Sequence, residues 1–554
     1  MIYIEEIIPI KVVGTSSLKI TFEYNADVVE ILRSFDGALF HRKLCFWELP
    51  IIHLAQLVDK LTYIDNIDLK LLDSKENSSK IYKLSNYKLP PLEHQIDGIQ
   101  YGLNHNKWLL LDACGLGKTA TVIHIIEELV KANKVHQCLV ICGVNTLKTN
   151  WLMEIKKHSD LSCRILGSRI GKRGGLIISS LADRLEDIKS KIQETVVITN
   201  IETLRSDDII NELKKNKPNK FDMIVVDELH KAKSVTSAQG KHLLQLTADY
   251  QIGLTGTPLM NSPIDTFLPL KWLGVEHSTK TYFNEFYCNY VGKFHNILAG
   301  YKHLEVLKEQ LDSVSLRRTK DILNLPPKTI IEEYLDMDSK QSDFYQCVKD
   351  GLVEEIDKVK INRASLLGMV TRLRQATACP SILTSENIPS VKIQRAVDLV
   401  EEIVADGEKV IVFSTFKEPI YHLEALLSKY NPLVCTGDKK DIEIENNKNI
   451  FQKDNSRKVL LATFAKMSTG VTLTASRYII CIDCCWTAAD NDQAESRIER
   501  IGAKDKLSIY YLMAKNTIDE HVWDIVNNKS VIGDFVVDNK IKDIERLKRL
   551  IIDM

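Results

Sequence analysis

A chain of 554 residues is long enough for three or four domains, and 44% hydrophobic with 27% charged residues is an ordinary globular composition. Lys and Arg (73) balance Asp and Glu (74) to a net charge of −1, so any surface for a polyanion is local. No apolar run of about 18 residues is present, which excludes a membrane-spanning helix. The opening MIYIEEIIPIKVV lacks the basic start of a secretory signal, and twelve cysteines in so long a chain read as reduced cytoplasmic thiols. Cys481, Cys484 and Cys485 close an apolar run and have no second pair nearby, so they read as buried strand positions and not as a zinc site.

Residues 1–85 read as a small α+β domain. Segments 1–10 and 18–24 alternate as strands, 26–35 and 51–61 read as helices, and 40–50 reads as a hairpin. In that hairpin His41, Arg42 and Lys43 lie beside Phe40, Phe46 and Trp47. Cations next to aromatics can grip phosphate and stack on an unpaired base, so Arg42, Lys43 and Trp47 are candidates for substrate recognition. The alternative is a domain that only stabilises its end of the chain. Residues 73–86 read as a polar linker.

Next, Leu89-Pro90-Pro91-Leu92-Glu93-His94-Gln95 leads into an amphipathic helix through residue 103. The Gln95 amide offers the donor and acceptor that an adenine edge requires. The apolar strand 109–111 then runs into Asp112-Ala113-Cys114-Gly115-Leu116-Gly117-Lys118-Thr119 and an apolar-periodic helix. That is the layout of a phosphate-binding loop. Gly115 and Gly117 let backbone N–H groups close on a polyphosphate, the helix start adds its positive end, Lys118 reaches the β- and γ-phosphates, and Thr119 holds Mg²⁺. The general pattern has glycine where this chain has Asp112. Gln95, Asp112, Gly115, Leu116, Gly117, Lys118 and Thr119 are therefore the expected ATP contacts.

Residues 138–143, 196–200 and 223–230 read as buried parallel-type strands, the last delivering Asp227 and Glu228 at its carboxyl end. Asp227 can hold Mg²⁺, and Glu228 can orient and deprotonate water. A further strand, 251–254, ends in the hydroxyl-rich turn of Thr255 and Thr257. Residues 259–385 lose this rhythm and read as helices at 267–273, 304–311, 343–359 and 365–377, with the basic stretch 316–328 a helix ending at a double proline. A second α/β lobe starts near residue 392, with strands at 409–416, 458–463 and 477–483. It has no phosphate loop, so Arg497 and Arg500, three apart on a helix over 492–502, read as arginine fingers for the first lobe's nucleotide. A solvated face balanced by Glu495 and Glu499 is the alternative. The run 541–551 reads as an amphipathic helix. The expected domains are 1–85, 86–290, a helical insertion 291–388, 389–530 and a C-terminal helix 531–554.

In order, these stretches resemble the Swi/Snf-type ATPases of helicase superfamily 2. Residues 112–119 look like motif I, 227–230 like motif II, 254–258 like motif III, 463–474 like motif V and 493–502 like motif VI. Residues 316–328 look like an arginine stretch specific to that family, and Leu147 with Asn150-Trp151 like motif Ia. Residues 493–497 and 511–517, with the N-terminal block, are similar to the annealing-helicase and fork-remodelling group. There are departures: Gly143 stands where the family usually has proline, Lys466-Met467-Ser468-Thr469 replaces a glycine-rich part of motif V, and Ala503 stands where glutamine is usual.

The resemblance implies an α/β fold of two RecA-like parallel-sheet lobes with a helical insertion and a small α+β N-terminal domain. It implies ATP and Mg²⁺, with Gly470, Arg497 and Arg500 completing the ATP site. It implies DNA contacts at Thr146, Asn150, Trp151, Thr199, Thr257, Ser414, Thr415, Thr463, Thr474 and Trp486. The expected activity is that of a monomeric, ATP-driven double-stranded DNA translocase acting on forks and four-way junctions by fork reversal, branch migration or strand annealing, in DNA replication, recombination and repair. A motor that displaces proteins such as polymerase from duplex, or a clamp gated by ATP without turnover, are the alternatives. The compact size suits a phage or bacterial protein working in the cytoplasm; a eukaryotic one would be nuclear.

Overall fold

The computed structural model describes residues 2–7, 17–42, 45–62, 69–72, 80–143, 147–170, 176–178, 180–215, 218–232, 234–256, 262–291, 297–323, 328–358, 363–467, 473–486, 488–495, 498 and 506–527. They fall into two compact units, one running to Arg318 and one from Thr319, with the turn Ala113–Leu116 grouped with the second.

The first unit opens with β1 (Ile2–Ile7), β2 (Ser17–Phe22), β3 (Leu39–His41), β4 (Phe46–Pro50) and β5 (Leu69–Leu72), in the sheet order β3-β4-β2-β1-β5. Helix Ala26–Arg33 starts on Asn25, whose side chain accepts the N–H groups of Asp27 and Val28. Val28 and Leu32 of this helix pack with Leu57 and Leu61 of helix Leu54–Thr62 over Ile4, Leu18, Ile20 and Leu49. The domain sits on the rest of its unit: a Cβ on Gly37 would lie 2.9 Å from the Phe286 ring, and His303 Nε2 is 3.7 Å from Asp36. Part of the expected linker is strapped down. Lys80 N–H donates to Asn104 Oδ1, Tyr82 N–H to Gln100 Oε1 and Ser85 N–H to Glu128 Oε1, at 2.8–2.9 Å. Residues 73–79 of it lie outside the described residues.

The strands that follow are β6 (Lys107–Leu110), β7 (Cys138–Cys142), β8 (Cys163–Ile165), β9 (Ser168–Ile170), β10 (Leu176–Ile178), β11 (Val196–Asn200), β12 (Met223–Asp227), β13 (Tyr250–Leu254), β14 (Cys288–Val291), β15 (Ile297–Tyr301) and β16 (Ser315–Leu316). β9 with β10, and β14 with β15, form antiparallel pairs. The others make one parallel sheet in the order β16-β6-β13-β12-β7-β11-β8. β7, β11 and β12 are buried throughout. Leu109, Leu139 and Ile141 join the core on one face, and Leu110, Val140 and Cys142 the core on the other, as a sheet covered on both sides requires.

The second unit holds β17 (Lys328–Leu335), β18 (Val410–Ser414), β19 (Leu433–Cys435), β20 (Val459–Thr463), β21 (Tyr478–Cys481) and β22 (Leu507–Ala514), all parallel in the order β17-β22-β21-β18-β20-β19. This bears out the α/β class with two parallel-sheet bodies and corrects the boundaries. The described residues of 291–388 do not form a separate helical body but divide between the two units at Arg318. β14 to β16 belong to the first unit, β17 is the edge strand of the second sheet, and Tyr345, Leu352, Met369, Val370 and Leu373 of helices Ser339–Lys358 and Arg363–Ala378 fill the second unit's core. β17 carries no apolar strand signal in sequence because an edge strand with one wet face reads as charged, Lys-Thr-Ile-Ile-Glu-Glu-Tyr-Leu. The basic stretch is not a helix either. It begins as β16 and passes through the 3₁₀ turn Lys320–Ile322, and residues 324–327 lie outside the described residues, as do 531–554.

All twelve cysteines are free, with Cys481 and Cys484 buried. Among the described residues no group of three or more His, Cys, Asp or Glu could hold a metal ion, and no helix is long and apolar enough to cross a membrane.

Candidate active site

The carboxyl ends of β6, β13, β12 and β7 lie side by side in the first sheet, where ligands of open parallel sheets bind. The chain leaves β6 through Asp112 and turns into helix Lys118–Lys131. Gly115 (φ +96°) and Gly117 (φ +78°) occupy left-handed backbone that side chains resist. A Cβ on Gly117 would lie 2.4 Å from Gln95 Nε2, so Gln95 rests against the loop. Its Oε1 accepts the Leu92 N–H at 3.0 Å. Lys118 Nζ donates to the Asp112 carbonyl at 2.8 Å. The half-buried Thr119 is the second residue of the helix. A glycine turn without side chains, an ammonium and a helix start form a donor-rich cradle that fits a polyphosphate.

Asp112 corrects one expectation. Its side chain is fully buried, and both carboxylate oxygens are taken by Arg318: Nε donates to Oδ1 at 3.0 Å and Nη2 to Oδ2 at 2.5 Å. The carboxylate is turned inward onto Arg318, so this side chain is not held out toward the cradle.

At the end of β12, Asp227 Oδ1 accepts the Glu228 N–H at 2.9 Å, and Oδ2 accepts Trp151 Nε1–H at 2.8 Å. Burial pushes the Asp227 carboxyl above the usual aspartate range, and the Glu228 charge adds to this. The Trp151 donor and the Lys118 ammonium oppose it. Glu228 adopts φ +52°, an unusual conformation for a residue with a side chain. Gly143, after β7, makes room for it: a Cβ there would lie 2.7 Å from Glu228 Cβ. That is a physical reason for glycine at this departure from the family pattern. His230 Nδ1 stands 3.3 Å from Glu228 Oε2 and 3.0 Å from Thr255 Oγ1, so one imidazole bridges the ends of β12 and β13.

Several expected DNA contacts are internal. Trp151 is fully buried, so it serves Asp227 and does not offer its ring to DNA. Thr199 Oγ1 is buried and donates to Thr203 at 2.9 Å. In the second unit Ser414 Oγ donates to Asp483 Oδ2 at 2.6 Å, Thr415 N–H donates to Asp483 Oδ1 at 3.0 Å, and Thr463 is buried. Strand-end hydroxyls look available in sequence, but here a buried carboxylate collects them. Thr474 Oγ1 accepts from Gln452 Nε2 at 3.1 Å, and the half-buried Trp486 lies under the Arg374 guanidinium at 4.8 Å. Asn150 is half-buried.

In the N-terminal hairpin Trp47 is a core residue, unavailable for stacking on a base, while Arg42 is exposed. His41 Nε2 is 2.5 Å from Glu48 Oε2, whose other oxygen accepts from Ser17 Oγ at 3.0 Å. Lys43, Thr146, Thr257, Gly470, Arg497 and Arg500 lie outside the described residues. Sequence reasoning missed Arg318, although its stretch was singled out as basic, and missed the pairing of Trp151 with Asp227, which no local spacing signals.

The SNF2-related domain model matches residues 74–382, and the helicase conserved C-terminal domain model matches residues 392–502. An "uncharacterized ATP-dependent helicase" of Mycoplasma pneumoniae is 25% identical over 495 residues, 86% of this chain and 45% of its own length. The mouse "DNA annealing helicase and endonuclease ZRANB3" is 26% identical over 474 residues, 80% of this chain and 40% of its own length. The chain thus spans less than half the length of these relatives. Among solved structures, the Sulfolobus solfataricus SWI2/SNF2 ATPase core in complex with dsDNA matches 85% of this chain and 99% of its own, at 23% identity and a TM-score of 0.39. With more than half of its length matched by one domain model, the chain belongs to the SNF2-related family, the Swi/Snf-type ATPases of helicase superfamily 2.

Proposed function

We propose that this chain is an ATP-driven, DNA-dependent motor that translocates on double-stranded DNA and remodels branched structures. One observation carries the motor reading: the glycine cradle with Lys118 follows β6, and the buried Asp227, held by Trp151, and Glu228, beside His230 and Thr255, end and follow β12 in the same sheet. Bound ATP with Mg²⁺ supplies the phosphoanhydride whose hydrolysis drives the cycle. The backbone N–H groups of the loop and the Lys118 ammonium would hold the phosphates, and Thr119 with Asp227 would hold the ion. Trp151 and the Glu228 N–H fix the Asp227 carboxylate. The Glu228 carboxylate orients a water and takes its proton. His230 passes the state of Glu228 to Thr255, at the head of the turn after β13. Arg497, Arg500 and Gly470 are proposed to take part in ATP turnover, and the protein works as a monomer in the compartment that holds the DNA.

The branched-DNA part rests on the relatives named as annealing helicases and on the N-terminal domain built onto the first unit, with Arg42 exposed. The test is steady-state phosphate release by the full chain on single strand, blunt duplex, fork and four-way junction. Strongest stimulation by forks or junctions, together with loss of turnover in Lys118→Ala, is the expected result. Equal stimulation by plain duplex would favour the protein-displacing motor. ATP binding without DNA-stimulated release would leave only a clamp. Turnover unchanged in Lys118→Ala would overturn the site.

A further inference from the structure

We propose that Arg318 is a positioning residue for the phosphate loop: its pairing with Asp112 sets where the loop backbone and Lys118 stand before nucleotide arrives. This rests on the reading of residues 112–119 as the ATP site and deepens it.

Four observations converge on the pair. First, Asp112 is the first residue of the loop, and its side chain is fully buried. A buried carboxylate is costly unless paired and hydrogen-bonded. Second, Arg318, 206 residues further along, meets it two-pronged, Nε to Oδ1 at 3.0 Å and Nη2 to Oδ2 at 2.5 Å. The planar guanidinium fixes orientation as well as charge in such a pairing. Third, Nη1 of the same guanidinium donates to the carbonyl of His94, in the helix that carries Gln95. One side chain therefore joins the start of the loop to the helix whose Gln95 rests on Gly117. Fourth, the surroundings are shaped for it. A Cβ on Gly98 would lie 2.9 Å from Arg318 Nη2, so the glycine leaves the channel through which the guanidinium passes.

The backbone carries the effect to the chemistry. The Asp112 carbonyl accepts Lys118 Nζ at 2.8 Å, so a shift of Asp112 moves the resting place of the ammonium. Arg318 itself is held by β16, where Leu109 N–H donates to the Val314 carbonyl and Leu111 N–H to the Leu316 carbonyl, both at 2.8 Å. It is also the last residue of its unit. A buried ion pair is a poor device for stability alone, because apolar residues of the same volume commonly serve as well. A two-pronged pair that also grips a backbone carbonyl on a second element is suited to setting geometry. Because the pair acts on the resting loop, its removal weakens nucleotide binding more than it slows turnover at saturation.

The test measures the affinity of a fluorescent ATP analogue with Mg²⁺ for the full chain, well below each variant's unfolding temperature, alongside kcat and KM for ATP. Arg318→Lys keeps the charge but loses the fork. We expect a Kd raised at least tenfold and kcat changed less than threefold. Arg318→Ala strands the Asp112 carboxylate and is expected to bind more weakly still. Asp112→Ala combined with Arg318→Ala removes the stranded charge and is expected to recover at least tenfold of that loss. Wild-type affinity per folded molecule in Arg318→Lys, or losses that simply add in the double variant, would overturn the proposal even if stability falls. If the wild-type chain binds no nucleotide, the ATP-site reading fails with it. If the wild type binds, Lys118→Ala does not, and Arg318→Lys binds normally, only the role of Arg318 fails.

Discussion

Replacing Trp151 with Phe separates the two roles that this residue could have. The change removes one N–H donor, 2.8 Å from Asp227 Oδ2, and retains most of the aromatic packing at a fully buried position. A hydrogen bond to a charged group is worth about 1.5–3 kcal/mol, and each 1.4 kcal/mol is tenfold, so we expect turnover at limiting Mg²⁺ to fall about tenfold to a hundredfold. The Trp151 donor opposes the upward shift of the Asp227 carboxyl, so its loss pushes that group higher still. More of it is then protonated on the acid side, and the acid limb of the pH–rate profile moves to higher pH. The assay is DNA-stimulated phosphate release against Mg²⁺ concentration at several pH values, with duplex affinity measured in parallel and thermal unfolding showing that the variant is folded. Duplex affinity should be unchanged. An unaltered rate and Mg²⁺ dependence with duplex affinity lowered tenfold would refute the reasoning and return Trp151 to the DNA surface.

Two other expectations follow from the same site. Burial raises the Asp227 carboxyl, so the folded state binds its proton more tightly than the unfolded state and loses stability as pH rises from the ordinary aspartate value through the raised one. The carboxyl is raised from 3.8 to about 6, a little over two pH units, so Asp227→Asn should be more stable than wild type by about 3 kcal/mol at pH 7.5 in chelator, with the gain vanishing near pH 4; a pH-independent difference in unfolding free energy would contradict this. Gly143→Ala places a methyl group 2.7 Å from Glu228 Cβ, and overpacking of this kind costs about 1–3 kcal/mol. We expect kcat to fall at least tenfold with nucleotide affinity retained, and a wild-type kcat would show that Glu228 does not need that space.

Much of this molecule is written locally. The aliphatic runs of β7, β11 and β12 announce buried parallel strands because both faces of such strands are covered. The glycines of the phosphate loop and the acids ending β12 are legible because the chemistry needs them at short, fixed spacing. The helices at 26–33, 304–312 and 363–378 fall within a few residues of expectation because apolar periodicity is a local signal. β17 was not legible, since its wet edge mixes charge into the pattern, and the boundary drawn at residue 392 followed from that miss.

The sequence by itself therefore determined the fold class, the order of the motifs and the identity of the loop, because these depend on contacts between residues near in the chain. Only the tertiary structure decided where side chains far apart in sequence meet. It turned Asp112 inward onto Arg318, set Trp151 on Asp227, put Trp47 into a core, and gathered Ser414 and Thr415 onto Asp483. A buried carboxylate must find donors wherever the fold brings them, and those partners lie 206, 76 and 69 residues away for Asp112, Asp227 and Asp483.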